Sequence, residues 1–164
     1  MSQAGLPNGC MFTGHRRVPQ RHVQALYERM YFLINHYYTK EGCRDFYAGG
    51  AMGFDRMAGA AVIEYRRTHP DVKLHLLLPC RDQAARWNAF ETQAYQDQLK
   101  AADSVTYLAD RYYDGCMQER NKALVNHARF CIAYCTEQYG GTVQTVGLAK
   151  GAGLRVHNIG EGLK

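Results

Sequence analysis

Strand and helix patterns alternate six times along the 164 residues, which predicts an α/β fold. The expected architecture is Rossmann-like: a doubly wound, mainly parallel six-stranded sheet with helices on both faces. Three observations carry this. The strand candidates are continuous apolar runs, such as KLHLLL at 73–78 and FCIAY at 130–134, as in strands buried on both faces. The segments between them have helical apolar spacing. At residues 46–61, FYAGGAMGFDRMAGAA, a strand passes through a glycine-rich turn directly into a helix. The length suits one domain spanning 1–164.

Taken in order, GCMFT at 9–13 is the first strand, followed by the loop GHRRVP. A helix is expected from 20 to 39, where Val23, Leu26, Met30, Leu33 and Tyr37 recur at intervals of three and four. Gly42 ends it and 45–48 is the second strand. After the glycine turn, Asp55 is expected to cap a second helix with Ala58, Ala61, Val62 and Tyr65 on its apolar face. His69-Pro70 stops that helix, and 73–78 is the third strand. Residues 81–100 read as a polar helix carrying Trp87, Phe90, Ala94 and Leu99. A strand at 103–108, a helix at 117–127 and a strand at 130–134 follow. Gly140-Gly141-Thr142 opens a short helix ended by Gly151 and Gly153, and 155–159 is the last strand.

Composition narrows the function classes. Hydrophobic residues make up 46% and charged residues 21%, ordinary for a globular chain, and no apolar run approaches a membrane span. The first residues, MSQAGLPNG, lack the basic and apolar regions of a signal peptide, so a cytoplasmic location and no membrane partner are expected. Six cysteines contain no Cys-x-x-Cys pair, so they are expected to be reduced and structural, with no metal. A formal charge of +5, with arginine pairs at Arg16–Arg17 and Arg66–Arg67, suits an anionic small ligand or nucleic acid. Twelve tyrosines suit interfaces or base stacking.

Fold logic collects four loops at one edge of the sheet, where open α/β sheets bind ligands. They hold Gly14, His15 and Arg16; then Gly49, Gly50, Gly53 and Asp55; then the run MQERNKAL; then Gly140, Gly141 and Thr142. Glycines let a ligand approach the main chain, and helix N-terminal amides favour phosphate. From residues 46–61 alone, an ordinary tight turn reads equally well; neither G-x-G-x-x-G nor a Walker pattern fits. Met117, Arg120 and Leu124 share a helical face, which turns Arg120 toward the protein or the site. Its planar fork suits phosphate or carboxylate, although an ion pair with Glu119 or Asp114 is the structural alternative. Asn121 suits a sugar hydroxyl or a base edge.

The order TGHR, AGGAMGFD, MQERN, then GGT with a helix and LAKGAG resembles the YpsA-like family of the SLOG superfamily. Its relatives are the DNA-processing protein A (Smf) group and the lonely-guy phosphoribohydrolases. The resemblance covers about residues 9–159 and implies a Rossmann-like fold, self-association and a nucleotide-derived ligand, with no cofactor required. Nucleoside monophosphate, ADP-ribose and related NAD derivatives are the candidates. The implied ligand set is Gly14, His15, Arg16, Gly49, Gly50, Met52, Gly53, Asp55, Arg120, Asn121, Gly140, Gly141 and Thr142. The phosphoribohydrolases pair an arginine in M-x-x-R-K with a glutamate in P-G-G-x-G-T-x-x-E. Met117 and Arg120 match the first, but Asn121 replaces the lysine and Thr145 stands where the glutamate falls. Arg120 is therefore the one candidate catalytic residue, and Asp55, Asp82, Asp114, Glu119 and Glu137 are the carboxylates available to replace the glutamate.

The leading expectation is a binding or sensing protein for such a ligand. The alternative is a phosphoribohydrolase-like enzyme cleaving the N-glycosidic bond of a nucleoside monophosphate. The third is single-stranded DNA binding along Arg16, Arg17, Arg66 and Arg67.

Overall fold

The computed structural model describes residues 6–164. The N-terminal stretch read for a leader peptide lies partly outside them, in residues 1–5. Six strands alternate with five helices: β1 (Gly9–Gly14), α1 (Gln20–Glu41), β2 (Asp45–Ala48), α2 (Phe54–Arg66), β3 (Lys73–Leu78), α3 (Ala89–Ala101), β4 (Ser104–Tyr107), α4 (Cys116–Asn126), β5 (Phe130–Tyr134), α5 (Gly141–Gly151) and β6 (Arg155–Asn158). Every strand pairing is parallel, in the order β4-β3-β2-β1-β5-β6. The chain builds outward from β1 to the β4 edge, then returns to lay β5 on the other side of β1.

Strand alternation separates two cores. Cys10 and Phe12 of β1, Phe46 of β2, Leu74, Leu76 and Leu78 of β3, and Phe130 and Ile132 of β5 meet Leu26, Met30 and Ile34 of α1 and Ala58, Val62 and Tyr65 of α2. On the opposite face Met11, Leu77, Cys131 and Ala133 meet Leu124 and Val125 of α4 and Ala149 of α5. Cys10, Cys43 and Cys131 belong to these cores, and burial raises all three thiols, Cys43 and Cys131 to about 12. They behave as small apolar groups. No helix among the described residues is long and apolar enough to cross a membrane.

Two local expectations need correction. The helix expected over 81–100 begins only at Ala89, where Asn88 caps it by accepting from the Glu91 amide at 2.8 Å. Residues before it are tied to the loop after β4: the Arg81 amide donates to the Ala109 carbonyl, and the Asp82 carboxylate accepts from the Tyr112 amide. Phe90, read as part of an apolar face, is exposed. Asp55 does not cap α2. The cap position is Gly53, at φ 76°, and Asp55 lies in the first turn with its carboxylate reaching back to the Ala51 amide at 3.3 Å.

Most tyrosines also have internal work. Tyr37 stacks on Phe130, Tyr65 on His69, and Tyr31 and Tyr38 meet Tyr65 edge-on. Tyr112, Tyr113 and Tyr139 are exposed.

Candidate functional site

The order of strands reverses between β1 and β5. The chain leaves β1 for a helix on one face and leaves β5 for a helix on the other, which opens a crevice at their carboxyl ends. A cleft of about 310 Å³ lies there. Its walls come from four places: Phe12, Thr13 and Gly14 at the end of β1 with His15 and Arg16 just after it; Ala51 and Asp55 around the start of α2; Met117, Arg120, Asn121 and Leu124 on α4; and Gly141, Thr142 and Thr145 on α5.

Arg120 is 7% exposed, very low for a guanidinium. Its Nη1 donates to the Gly49 carbonyl at 2.5 Å and its Nε to the Asn121 side-chain oxygen at 2.9 Å; Nη2 lies 3.9 Å from the Met117 sulfur. Neither Glu119 nor Asp114 pairs with it; Glu119 instead meets Lys122 at 3.3 Å. Burial lowers the pKa of the guanidinium, and the nearby Asp55 carboxylate opposes that shift. Asp55 is the reciprocal case. Burial raises its carboxyl, while Arg120, the Ala51 amide and Arg16 pull it back down. The two charges therefore compensate each other in the cleft without forming a direct ion pair.

His15 fastens the loop after β1 on both sides. Its carbonyl accepts from the Phe54 amide at 3.1 Å, and its Nε2 accepts from the Thr136 amide at 2.8 Å. An accepting Nε2 requires the neutral ring, and burial lowers its pKa accordingly. Its ring also meets Tyr134 edge-on at 5.2 Å.

The expected glycines divide into two groups. A methyl group on Gly49 would overlap the Arg120 guanidinium, one on Gly50 the Leu78 side chain, and one on Gly53 the main chain of Arg16. These three are occupied by protein packing and do not line the cleft. Met52 also lies outside it, in a shallower depression with Arg16, Arg17 and Gly53. At Gly140 and Gly141 a methyl group would meet no atom within 4 Å. Gly140, at φ 109°, is the cap position of α5, and no side chain caps that helix. Gly141 and Thr142 line the cleft directly.

Phe12, Thr13 and Ala51 are cleft residues that the sequence reading did not place there. Thr145, which stands where the phosphoribohydrolase glutamate falls, lines the cleft as well. It is 1% exposed, and its hydroxyl donates to the Gly141 carbonyl at 2.8 Å. Of the five carboxylates offered as replacements for the missing glutamate, only Asp55 lines the cleft. Arg66 and Arg67 pair with Asp103 and Glu64 at the far end of α2, so the four arginines proposed as a DNA track do not share an edge.

Residues 18–149 match the model of the YpsA family, described as the YspA SLOG family. The chain belongs to this SLOG family. A UPF0398 protein of Halalkalibacterium halodurans is 35% identical over 83 residues, covering 51% of this chain and 44% of its own. The SPbeta prophage-derived protein YoqJ of Bacillus subtilis is 25% identical over 137 residues, covering 76% and 80%. The chain thus spans less than half the length of the first relative but most of the second. Among solved structures, DNA processing protein A from Streptococcus pneumoniae superposes with a TM-score of 0.63 at 15% identity, over 94% of this chain and 50% of that one. The Helicobacter pylori protein of the same name, whose structure concerns its single-stranded DNA binding mode, gives 0.64 at 18%, over 94% and 66%. At these identities the likeness shows the shared fold.

Proposed function

We propose that the cleft binds a nucleotide-derived ligand, with a phosphate over Gly141 and Thr142 and its charge balanced by Arg120 and Arg16. The observation that carries this is the open glycine turn at the uncapped N-terminus of α5, in the same cleft as a buried arginine. The amides of that turn and the helix dipole favour an anion. A volume near 310 Å³ is at the small end for ligand pockets, roughly 300–1,000 Å³, and suits one nucleotide-sized group. The Asn121 side-chain oxygen accepts from the Arg120 Nε, which supports a role for its amide group in contacting a sugar or base.

Calorimetry with nucleoside monophosphates and ADP-ribose tests the reading. Wild type is expected to bind at least one of them, and Arg120→Ala to weaken that binding by about 1.5–3 kcal/mol. Arg120→Lys recovers only part, lacking the planar fork. Because Arg120 also satisfies the buried Gly49 carbonyl, Arg120→Ala also loses roughly 1–3 kcal/mol of stability, read from thermal melts. Absence of binding across the panel by folded wild type rejects the proposal.

Asp55 favours a second reading. A carboxylate beside Arg120, with its pKa raised by burial, is suited to proton transfer during N-glycosidic hydrolysis. Release of free base from a nucleoside monophosphate, abolished by Asp55→Asn, separates this enzyme from a binding protein.

A further inference from the structure

The amino ends of β2, β3 and β4, at the opposite end of the sheet from the cleft, bring together a second group of polar side chains. His75 is the one polar residue in the otherwise apolar run 74–78 of β3. Asp45 opens β2 and Ser104 opens β4. In the sheet register Asp45 lies beside Lys73, and His75 lies beside Ser104. By strand alternation His75 shares a face with Leu77, the face of the smaller core.

His75 bridges the other two residues. Its Nε2 lies 2.8 Å from the Asp45 carboxylate and its Nδ1 2.6 Å from the Ser104 hydroxyl. An ionised carboxylate can only accept, so Nε2 carries a proton. In the neutral ring Nδ1 is then the acceptor, and the Ser104 hydroxyl donates to it. Tyr47 stacks on the imidazole with ring centres 4.7 Å apart and so fixes its plane. Hydroxyl, imidazole and carboxylate in this order are a nucleophile, its base and the group that orients the base. The group is also accessible. Ser104 is exposed, the Asp45 side chain is 46% exposed, and β4 is an edge strand with one side unpaired. Exposed polar pairs add little to stability, so the fold alone gives little reason for this trio.

We propose that Ser104 is an activated nucleophile that accepts an acyl group from an activated carboxylic ester, with His75 as its base and Asp45 as a positioning residue. As the Ser104 Oγ bonds to the acyl carbon, its proton passes to His75 Nδ1, and the bond from that carbon to the leaving oxygen breaks. The imidazolium, held at Nε2 by Asp45, returns the proton to the departing oxygen. The products are acyl-Ser104 and an alcohol. The open sheet edge admits a small, unhindered acyl group such as acetyl.

The test adds p-nitrophenyl acetate to the full chain, times nitrophenol release and locates the acetyl group by peptide mass. A single acetyl on Ser104 is expected. Ser104→Ala, which changes an exposed side chain, should abolish it. His75→Gln should slow it roughly hundredfold, and Asp45→Asn roughly tenfold or more, with thermal melts showing each variant folded. Imidazole nitrogen NMR of the neutral ring should find the His75 proton on Nε2 in wild type, and Asp45→Asn should weaken that preference. Acetylation absent from Ser104, spread over lysines and other hydroxyls at comparable rates, or equally fast in His75→Gln overturns the nucleophile. A wild-type rate in Asp45→Asn, or a wild-type ring with its proton on Nδ1, overturns the positioning role.

Discussion

In the turn after β2, a methyl group on Gly49 would strike Arg120, and one on Gly53 would strike the main chain of Arg16. In the turn before α5, a methyl group on Gly140 or Gly141 would touch nothing. Both turns join a strand to a helix at the same edge of the sheet, and both helices lack a side-chain cap. Their glycines answer different needs. The first turn is compressed so that two loops and an arginine can meet. The second leaves space that the protein does not fill. A glycine-rich turn is therefore open to close approach, and only the structure tells whether the protein itself fills that space.

The comparison is most severely tested at Gly53. Its φ of 76° and its contact with Arg16 leave no room for a side chain, so Gly53→Ala should lose about 3 kcal/mol, measured by urea unfolding. Wild-type stability in that variant would remove the packing role. Gly49→Ala should cost roughly 1–3 kcal/mol and also displace Arg120, so that stability and nucleotide affinity fall together. Gly141→Ala is the contrasting case. It should leave stability within about 0.5 kcal/mol, because its neighbourhood is open, yet weaken nucleotide binding roughly tenfold by filling the phosphate position. Loss of stability with unaltered binding would invert the assignment.

The smallest effect concerns His15. Its folded-state pKa is lowered by burial, so the neutral ring's contribution is present above the ordinary histidine value of 6.5 and is lost as pH falls through the folded value. Acidification through that folded value, which lies below 6.5, should release the Thr136 amide, seen as faster hydrogen exchange there. His15→Ala should show fast exchange at every pH; a Thr136 amide that stays protected in that variant would dismiss the tether.

The sheet was readable in the sequence because β1, β5 and the second half of β3 are buried on both faces and consequently written as mostly apolar runs. The convergence of four loops was readable from chain order alone. The start of α3 was missed although its signal was present: Asn88 and Glu91 form a capping pair, and it was overlooked because Trp87 and Phe90 extended the apolar spacing backward. The partner of Arg120 was not legible. A guanidinium bonded to a main-chain carbonyl 71 positions away leaves no mark in residue identity. The roles of the glycines were likewise hidden, since the same residue type serves contact and vacancy.

The sheet order also has a consequence for synthesis. Cys10 pairs with Phe130 and Gly14 with Tyr134, so one side of the central strand waits for its neighbour while over a hundred residues are made. At roughly 5–20 residues per second, that interval is on the order of ten seconds. During it, β1 through β4 can assemble on the nascent chain, but the apolar edge of β1 remains an open template for any other strand. The cleft, which needs residues from both sides of that edge, is completed only when β5 and α5 emerge. A ribosome stalled before residue 130 should therefore hold a chain with a half-built sheet, prone to association and without the cleft.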